Sequence, residues 1–257
     1  MKIEVSSLSF SYGMGKVLDS ISFSAQDGQA IAVLGPNGVG KTTFFRCLLG
    51  FLKPSEGSVI VDGRNVNDYT RRELAHKLAY IPQSYSPAFN HTVLDSVLMG
   101  TTASMGLFQS PGKPQIDRAM AALDSLGIGK LAHRPSLKIS GGERQLMLIA
   151  RALVQDARIL IMDEPAANLD FGNSFHVSSR IRNLANKGYT VIFSTHDPGQ
   201  AYRYANRVVC MQGGRIIGDG KADEVLDEAM LNSLYGVKTA VRSIEVNGRS
   251  YKVCLPI

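Results

Sequence analysis

Apolar residues fall along the chain in two kinds of pattern, short unbroken runs and helical stripes. Residues 30–34 form a run that ends at Gly35, and residues 159–162 (Ile-Leu-Ile-Met) and 190–193 (Thr-Val-Ile-Phe) form two more. Runs of that length predict strands buried on both faces. Phe45, Leu48, Leu49 and Leu52 recur at helical spacing and predict a helix that Pro54 and Gly57 end. Residues 58–61 followed by Asp62-Gly63 predict a strand and turn, and residues 207–211 and 215–218 around Gly213-Gly214 predict a hairpin. Strands alternating with helices predict an α/β body with a largely parallel sheet. The first stretch alternates instead, with Ile3 and Val5, then Ile21, Phe23 and Ala25, and predicts antiparallel strands.

The middle of the chain changes period. Val93, Leu94, Val97 and Leu98 make one stripe, Ile116, Ala119, Met120, Leu123 and Leu126 a second, and Leu146, Ile149, Ala150 and Leu153 a third. A Gly/Ser/Pro-rich loop over 100–114 separates the first two. These stripes predict a helical subdomain, about residues 84–155, inserted into the α/β body. Near the end, Asn247-Gly248 between residues 244–246 and 251–253 predicts a hairpin. The expected organisation is a body over 1–230 and a small extension over 231–257, whose hairpin either covers a sheet edge, the favoured reading, or makes a regulatory contact.

Composition narrows the class. With 44% hydrophobic and 19% charged residues over 257 positions, the chain suits a folded domain rather than disorder. No run of about eighteen uncharged apolar residues is present, the length a membrane helix needs. The first residues lack the apolar centre of a signal peptide, so the expected location is the cytoplasm. Cys47, Cys210 and Cys254 are far apart and have no metal or redox spacing, which predicts reduced, mostly buried thiols. The net charge, 28 − 22 = +6, is spread along the chain. It suits nucleic acid, an anionic membrane surface or an anionic ligand, so chemistry must decide.

The chemistry begins at Gly35, Pro36, Asn37, Gly38, Val39, Gly40, Lys41 and Thr42, which fit G-x-x-x-x-G-K-[ST] between a predicted strand and a predicted helix. Glycines let the loop curl its N–H groups toward phosphate oxygens, and a helix N-terminus adds positive potential. Lys41 would reach the outer phosphates and the Thr42 hydroxyl would ligate Mg²⁺. A hydrated Mg²⁺ also needs a carboxylate, and Asp163, directly after the buried run 159–162, is the candidate. Glu164 follows at the strand's C-terminal end, where a carboxylate can polarise an attacking water.

These and five further marks resemble the nucleotide-binding subunit of an ATP-binding cassette (ABC) transporter. In order they are Tyr12 in FSYG, the loop GPNGVGKTT through Thr43, Gln83 in YIPQ, ISGGERQ from Ile139, ILIMDEP, NLD ending at Asp170, and His196 in STHD. The resemblance covers nearly the whole length. It implies an ABC-type P-loop NTPase fold, with an N-terminal antiparallel β subdomain and an inserted helical subdomain. It further implies an ATPase that uses ATP and Mg²⁺. Tyr12 would stack on adenine. Gln83 would touch Mg²⁺ or the water. His196 would hold the γ-phosphate, the water and Glu164 in line.

Ser140, Gly141, Gly142 and Glu143 resemble the family's signature. As residues they also spell a helix start, with Ser140 as N-cap and Glu143 completing a capping box. The resemblance implies that this helix N-terminus serves the γ-phosphate bound by a second copy of the chain. Two copies would sandwich two ATP molecules head to tail in an isologous dimer. Asp170 would cross the dimer near the other copy's loop. Glu143 stands where the family usually has Gln, Ile139 where it has Leu, and AANLD replaces the commoner SALD-type run. A carboxylate at 143 is costly beside phosphate unless it folds back onto the Ser140 N–H.

TVLDSVLMG with the following MGLF, the run THDPGQAYRYANRVVCMQGGRIIGDG, and LYGV before the NGR hairpin look like the iron-chelate, haem and cobalamin importer branch. That branch implies two integral-membrane permease subunits, indirectly a solute-binding protein, no nucleic acid, and a peripheral position on the cytoplasmic face of the inner membrane. Residues 84–100 would form a wall of the groove that receives a permease helix. A molybdate or tungstate importer and an exporter are the alternatives. A soluble ABC ATPase fits less well, because no coiled-coil heptads lie between Gln83 and Ser140 and the chain has one cassette.

Overall fold

The computed structural model describes residues 2–13, 15–85, 89–106 and 109–257. The alternating start forms strands β1 (Ile3–Tyr12) and β2 (Gly15–Ala25), with Ile3 opposite Ala25 and Val5 opposite Phe23, all four buried. Strand β3 (Ala30–Leu34) leads through the loop 35–40 into α1 (Lys41–Leu48). This helix ends earlier than the apolar spacing predicts. Leu49 is its C-cap and Gly50 takes a left-handed φ of 65°, so the chain has turned before Pro54. Leu49 is still buried and Leu52 partly so. The spacing therefore reported burial rather than helix length.

Strand β4 (Glu56–Val61) pairs with β1, and the short β5 (Arg64–Asn65) completes an antiparallel sheet of order β2-β1-β4-β5. Helix α2 (Arg71–Ala75), started by a Thr70–Glu73 capping box, precedes β6 (Leu78–Ile81). The helical layer follows as α3 (Val93–Leu98), α4 (Lys113–Ser125) and α5 (Gly141–Leu153). Its stripes are buried as expected at Val93, Val97, Ala119, Leu123, Ile149 and Ala150. Ile116 departs from its stripe and is 37% exposed on the first turn of α4. A methyl group at Gly100 would lie 2.1 Å from the Arg151 carbonyl and 2.7 Å from Val154 Cγ2. We expect Gly100→Ala to cost about 1–3 kcal/mol by overpacking against fixed backbone. A thermal melt that matches the wild type would contradict this close approach.

The remaining elements are β7 (Ile159–Met162), α6 (Phe171–Asn186), β8 (Thr190–Thr195), α7 (Pro198–Tyr204), β9 (Arg207–Gln212), β10 (Arg215–Gly220), α8 (Ala222–Val225) and α9 (Glu228–Tyr235). Six strands form the central sheet in the order β10-β9-β3-β8-β7-β6, parallel except for the β9–β10 hairpin. Both faces of this sheet are covered. Ile31 and Val33 of β3 join a core with α1 and the antiparallel sheet, while Ala32 and Leu34 join a second core with the helices. Strand alternation thus feeds two cores at once, which is why these strands read as unbroken apolar runs.

Strands β11 (Thr239–Val246) and β12 (Arg249–Pro256) pair with each other around Asn247 and Gly248, both at positive φ. They form a separate two-stranded sheet, with β11 against α9 and β12 against α7. The hairpin therefore covers helices, not the sheet edge expected from sequence. Helix α9 runs across the expected boundary at residue 230. Among the described residues no helix is long and apolar enough to cross a membrane.

Candidate active site

The loop after β3 turns sharply beneath β9. A Cβ at Gly35 would lie 2.5 Å from the Met211 carbonyl oxygen, so only glycine passes there. Gly40 takes φ 106° and caps α1 without a side chain, and no acidic residue stands in the first turn. The helix start thus keeps its positive end uncompensated by side chains. Lys41, 5% exposed, folds its ammonium back onto this loop. It donates to the carbonyls of Gly35 at 2.7 Å and Pro36 at 3.1 Å and lies 3.4 Å from Glu164 Oε1. A buried ammonium must keep partners. These partners can be exchanged for phosphate oxygens without leaving the charge bare.

Asp163 and Glu164 leave the end of β7. Asp163 accepts a hydrogen bond from Ser194 Oγ at 2.7 Å and one from the Tyr80 hydroxyl at 3.4 Å. Burial, reinforced by the Asp163 carboxylate, pushes the Tyr80 phenol up to about 12, so it stays a donor. Ser194 Oγ also accepts from the Glu164 N–H at 2.8 Å, tying the two acids to β8. Tyr80 and Ser194 stand in the YIPQ and STHD runs, but the sequence alone assigns neither a role. The available signal was a polar residue late in an otherwise apolar strand.

Glu164 has a left-handed backbone, φ 41°. That region costs a non-glycine residue on the order of 1–3 kcal/mol and survives only where the surroundings hold it. The Glu164 side chain meets three strand-end loops. Oε1 faces Lys41, while Oε2 lies 3.2 Å from His196 Nδ1, after β8, and 3.5 Å from Gln83 Nε2, after β6. Lys41, Gln83 and Glu164 line a cleft of about 290 Å³ with Asn37, Gly38, Gly40, Thr42 and Thr43, whereas His196 is not among its lining residues and reaches the cleft only through Glu164. Val17, from β2, is a lining residue that sequence reasoning did not select.

The other sequence-selected residues lie elsewhere. Gly35 and Pro36 act through their carbonyls, Val39 packs against the core, and Asp163 sits behind the cleft under Ser194. Tyr12 is half exposed at the end of β1 and meets Phe10 edge-on at 4.8 Å. Ser140, Gly141, Gly142, Glu143 and Asp170 gather at a second place. Ser140 caps α5 with a full capping box, and Glu143 Oε2 folds back onto the Ser140 N–H at 2.8 Å. Asp170 caps α6, and hydrogen bonds from the Asn173 backbone and side chain hold its carboxyl below the usual range. A Cβ on Gly142 would come within 2.6 Å of Asn173, and one on Gly141 within 3.2 Å of Leu169. The two helix starts abut, so a side chain at Gly142 would have to displace that of Asn173. None of these five residues lines the 290 Å³ cleft.

Thr42, Gln83 and Asp163 are hard oxygen donors or sit beside the cleft, which fits Mg²⁺. Among the described residues no cluster of three or more His, Cys, Asp or Glu could hold a metal ion alone. Any Mg²⁺ here would be completed by phosphate oxygens and water.

A second cleft, about 340 Å³, runs between α2 and α5 and includes Leu49, Phe51, Leu74, Tyr85, Leu148 and Arg151. Among the described residues of the wall expected over 84–100, Tyr85 alone lines it; residues 86–88, like 107–108 of the MGLF run, lie outside the described residues.

Known proteins resemble this chain over most of its length. Residues 18–167 match the family described as "ABC transporter". The chain is 40% identical over 223 residues to an uncharacterized ABC transporter ATP-binding protein of Haemophilus influenzae, covering 86% of this chain and 85% of that protein. It is 35% identical over 237 residues to a Helicobacter pylori protein named "probable iron chelatin transport ATP-binding protein", covering 91% and 93%. In fold it matches a chain of a metal-chelate type ABC transporter in an inward-facing conformation, with TM-score 0.89 and 31% identity over 99% of this chain and 96% of that one.

Proposed function

The chain belongs to the ABC transporter family, and on that premise we propose that it is the ATP-hydrolysing subunit of a membrane importer for an iron-siderophore, haem, cobalamin or related metal complex. The observation that carries the ATPase reading is the convergence of Lys41, Gln83 and His196 on the Glu164 carboxylate at the phosphate-loop cleft. The names of the iron chelatin relative and the metal-chelate transporter support the cargo class.

In this reading the loop 35–40 and the start of α1 receive the phosphates, and Lys41 releases the Gly35 and Pro36 carbonyls to bind them. Tyr12 offers its exposed ring to adenine. Thr42, Gln83 and Asp163 are the groups that would hold Mg²⁺, which when bound neutralises phosphate charge. Glu164 takes the proton of the attacking water, and His196 holds the carboxylate in line. The Ser140–Glu143 helix start and Asp170 lie off the cleft, which suits a site completed head to tail by a second copy. The groove beside Phe51 and Tyr85 receives a cytoplasmic helix of one permease subunit, the same groove of the second copy receives that of the other, and a solute-binding protein delivers the cargo on the far side. The chain then sits on the cytoplasmic face of the membrane without entering it. We read residues 1–230 as the ATPase body, with the helical layer over 84–155, and 231–257 as an extension joined to it through α9.

The test is affinity purification of the chain from detergent-solubilised native membranes, with uptake of a labelled iron chelate measured in the same cells. We expect stoichiometric recovery of a many-spanning permease, and uptake that stops when Glu164→Gln replaces the wild type. Recovery from the soluble fraction alone would overturn the importer reading, and a permease partner with iron-chelate uptake unaffected would remove the iron-siderophore from the cargo class.

A further inference from the structure

His196 reaches Glu164 through a side chain that is 53% exposed. So exposed a ring takes its direction largely from its backbone. That backbone is held on both sides of one peptide unit. The His196 carbonyl accepts the Tyr235 hydroxyl at 2.9 Å, and the Asp197 N–H donates to Thr195 Oγ1 at 3.0 Å. The second bond is local to the turn between β8 and α7. The first comes from 39 residues away, from the last residue of α9.

We propose that Tyr235 is a positioning residue for hydrolysis: its phenol fixes the His196 carbonyl and so aims the imidazole at Glu164. The proposal rests on the reading of Glu164 and His196 as the hydrolytic pair. The ring is carried on a firm support. Leu231 and Leu234 of α9 are buried, Asp227 caps the helix through the Met230 N–H at 2.7 Å, and the Gln212 amide donates to the Ser233 carbonyl at 2.6 Å. Burial raises the phenol's pKa, so its proton stays available for donation. Beyond Tyr235 the chain turns at Gly236, φ 65°, and the Thr239 N–H that opens β11 donates to Asn232 Oδ1 at 2.6 Å. The last turn of α9 thus holds both the terminal hairpin and the carbonyl of the histidine. The LYGV run that marks the sequence near its end acquires a role here: its tyrosine steadies the site from outside the nucleotide cleft.

Tyr235→Phe keeps the ring and removes only the hydroxyl. In steady-state phosphate release by the purified full chain we expect kcat to fall about two- to tenfold, the span of one hydrogen bond, with KM for ATP within about twofold of wild type. Tyr202→Phe is the control. Its hydroxyl also donates to a backbone carbonyl, that of Leu226, but is not bonded to His196. It should leave kcat unchanged even where it lowers the melting temperature. In a His196→Ala background, Tyr235→Phe should add no further loss. A wild-type kcat in Tyr235→Phe, an equal loss in the His196→Ala background, or an equal kcat loss in Tyr202→Phe would each overturn the proposal. A wild-type chain that releases no phosphate would instead remove the ATPase reading and this inference with it.

Discussion

Glu164→Gln is expected to bind ATP as the wild-type chain does and to hydrolyse it at least about a hundredfold more slowly, the lower end of what a general base contributes. The amide has nearly the volume of the carboxylate, and the backbone bond from the residue 164 N–H to Ser194 Oγ does not depend on the side chain. The left-handed turn should therefore persist. What is lost is the proton acceptor facing Lys41, His196 and Gln83. With hydrolysis stalled, two chains should stay closed around ATP. Equilibrium binding, single-turnover phosphate release and light-scattering mass read the three consequences separately. Undiminished turnover would remove Glu164 from the role of base.

Lys41→Met should abolish useful ATP binding, lowering affinity about a hundredfold or more. Hydrogen bonds to a charged group contribute about 1.5–3 kcal/mol each, and every 1.4 kcal/mol is about tenfold. Methionine keeps the buried stem and removes only the ammonium. The carbonyls of Gly35 and Pro36 then lose their donor and Glu164 loses its cation, so the variant should also melt lower without nucleotide. Lys41→Met/Glu164→Gln should recover part of that melting temperature and none of the binding. Thermal melts with and without ATP separate the two effects. Wild-type stabilisation by ATP in Lys41→Met would contradict the assignment.

The residues that could be read from sequence are those whose chemistry is local. The strands at Ala30–Leu34 and Ile159–Met162 are buried on both faces, so hydrophobicity alone outlines them. The phosphate loop has a fixed spacing because one turn must do one job, and the Ser140–Glu143 capping box is complete within a single helix start. What stayed hidden depends on approach in space. Tyr80 and Ser194 look like ordinary strand residues until β6, β7 and β8 place them beside Asp163. The early end of α1 follows from Gly50, while buried Leu49 carries the helical pattern past it. The groove wall comes from Leu49, Phe51 and Leu74 meeting α5, residues with no shared local pattern. The hairpin's own turn is spelled by Asn247-Gly248, but its packing on α7 and α9 is not. The same is true of Tyr235, which matters only because α9 ends beside His196.

Phosphate release from the purified wild-type chain, supplied with ATP and Mg²⁺ and followed beside ATP binding, tests the central claim most directly. The expected result is saturable release that disappears in Glu164→Gln while binding remains. Binding of ATP by the wild-type chain with no phosphate released, alone or with its membrane partners, would contradict it.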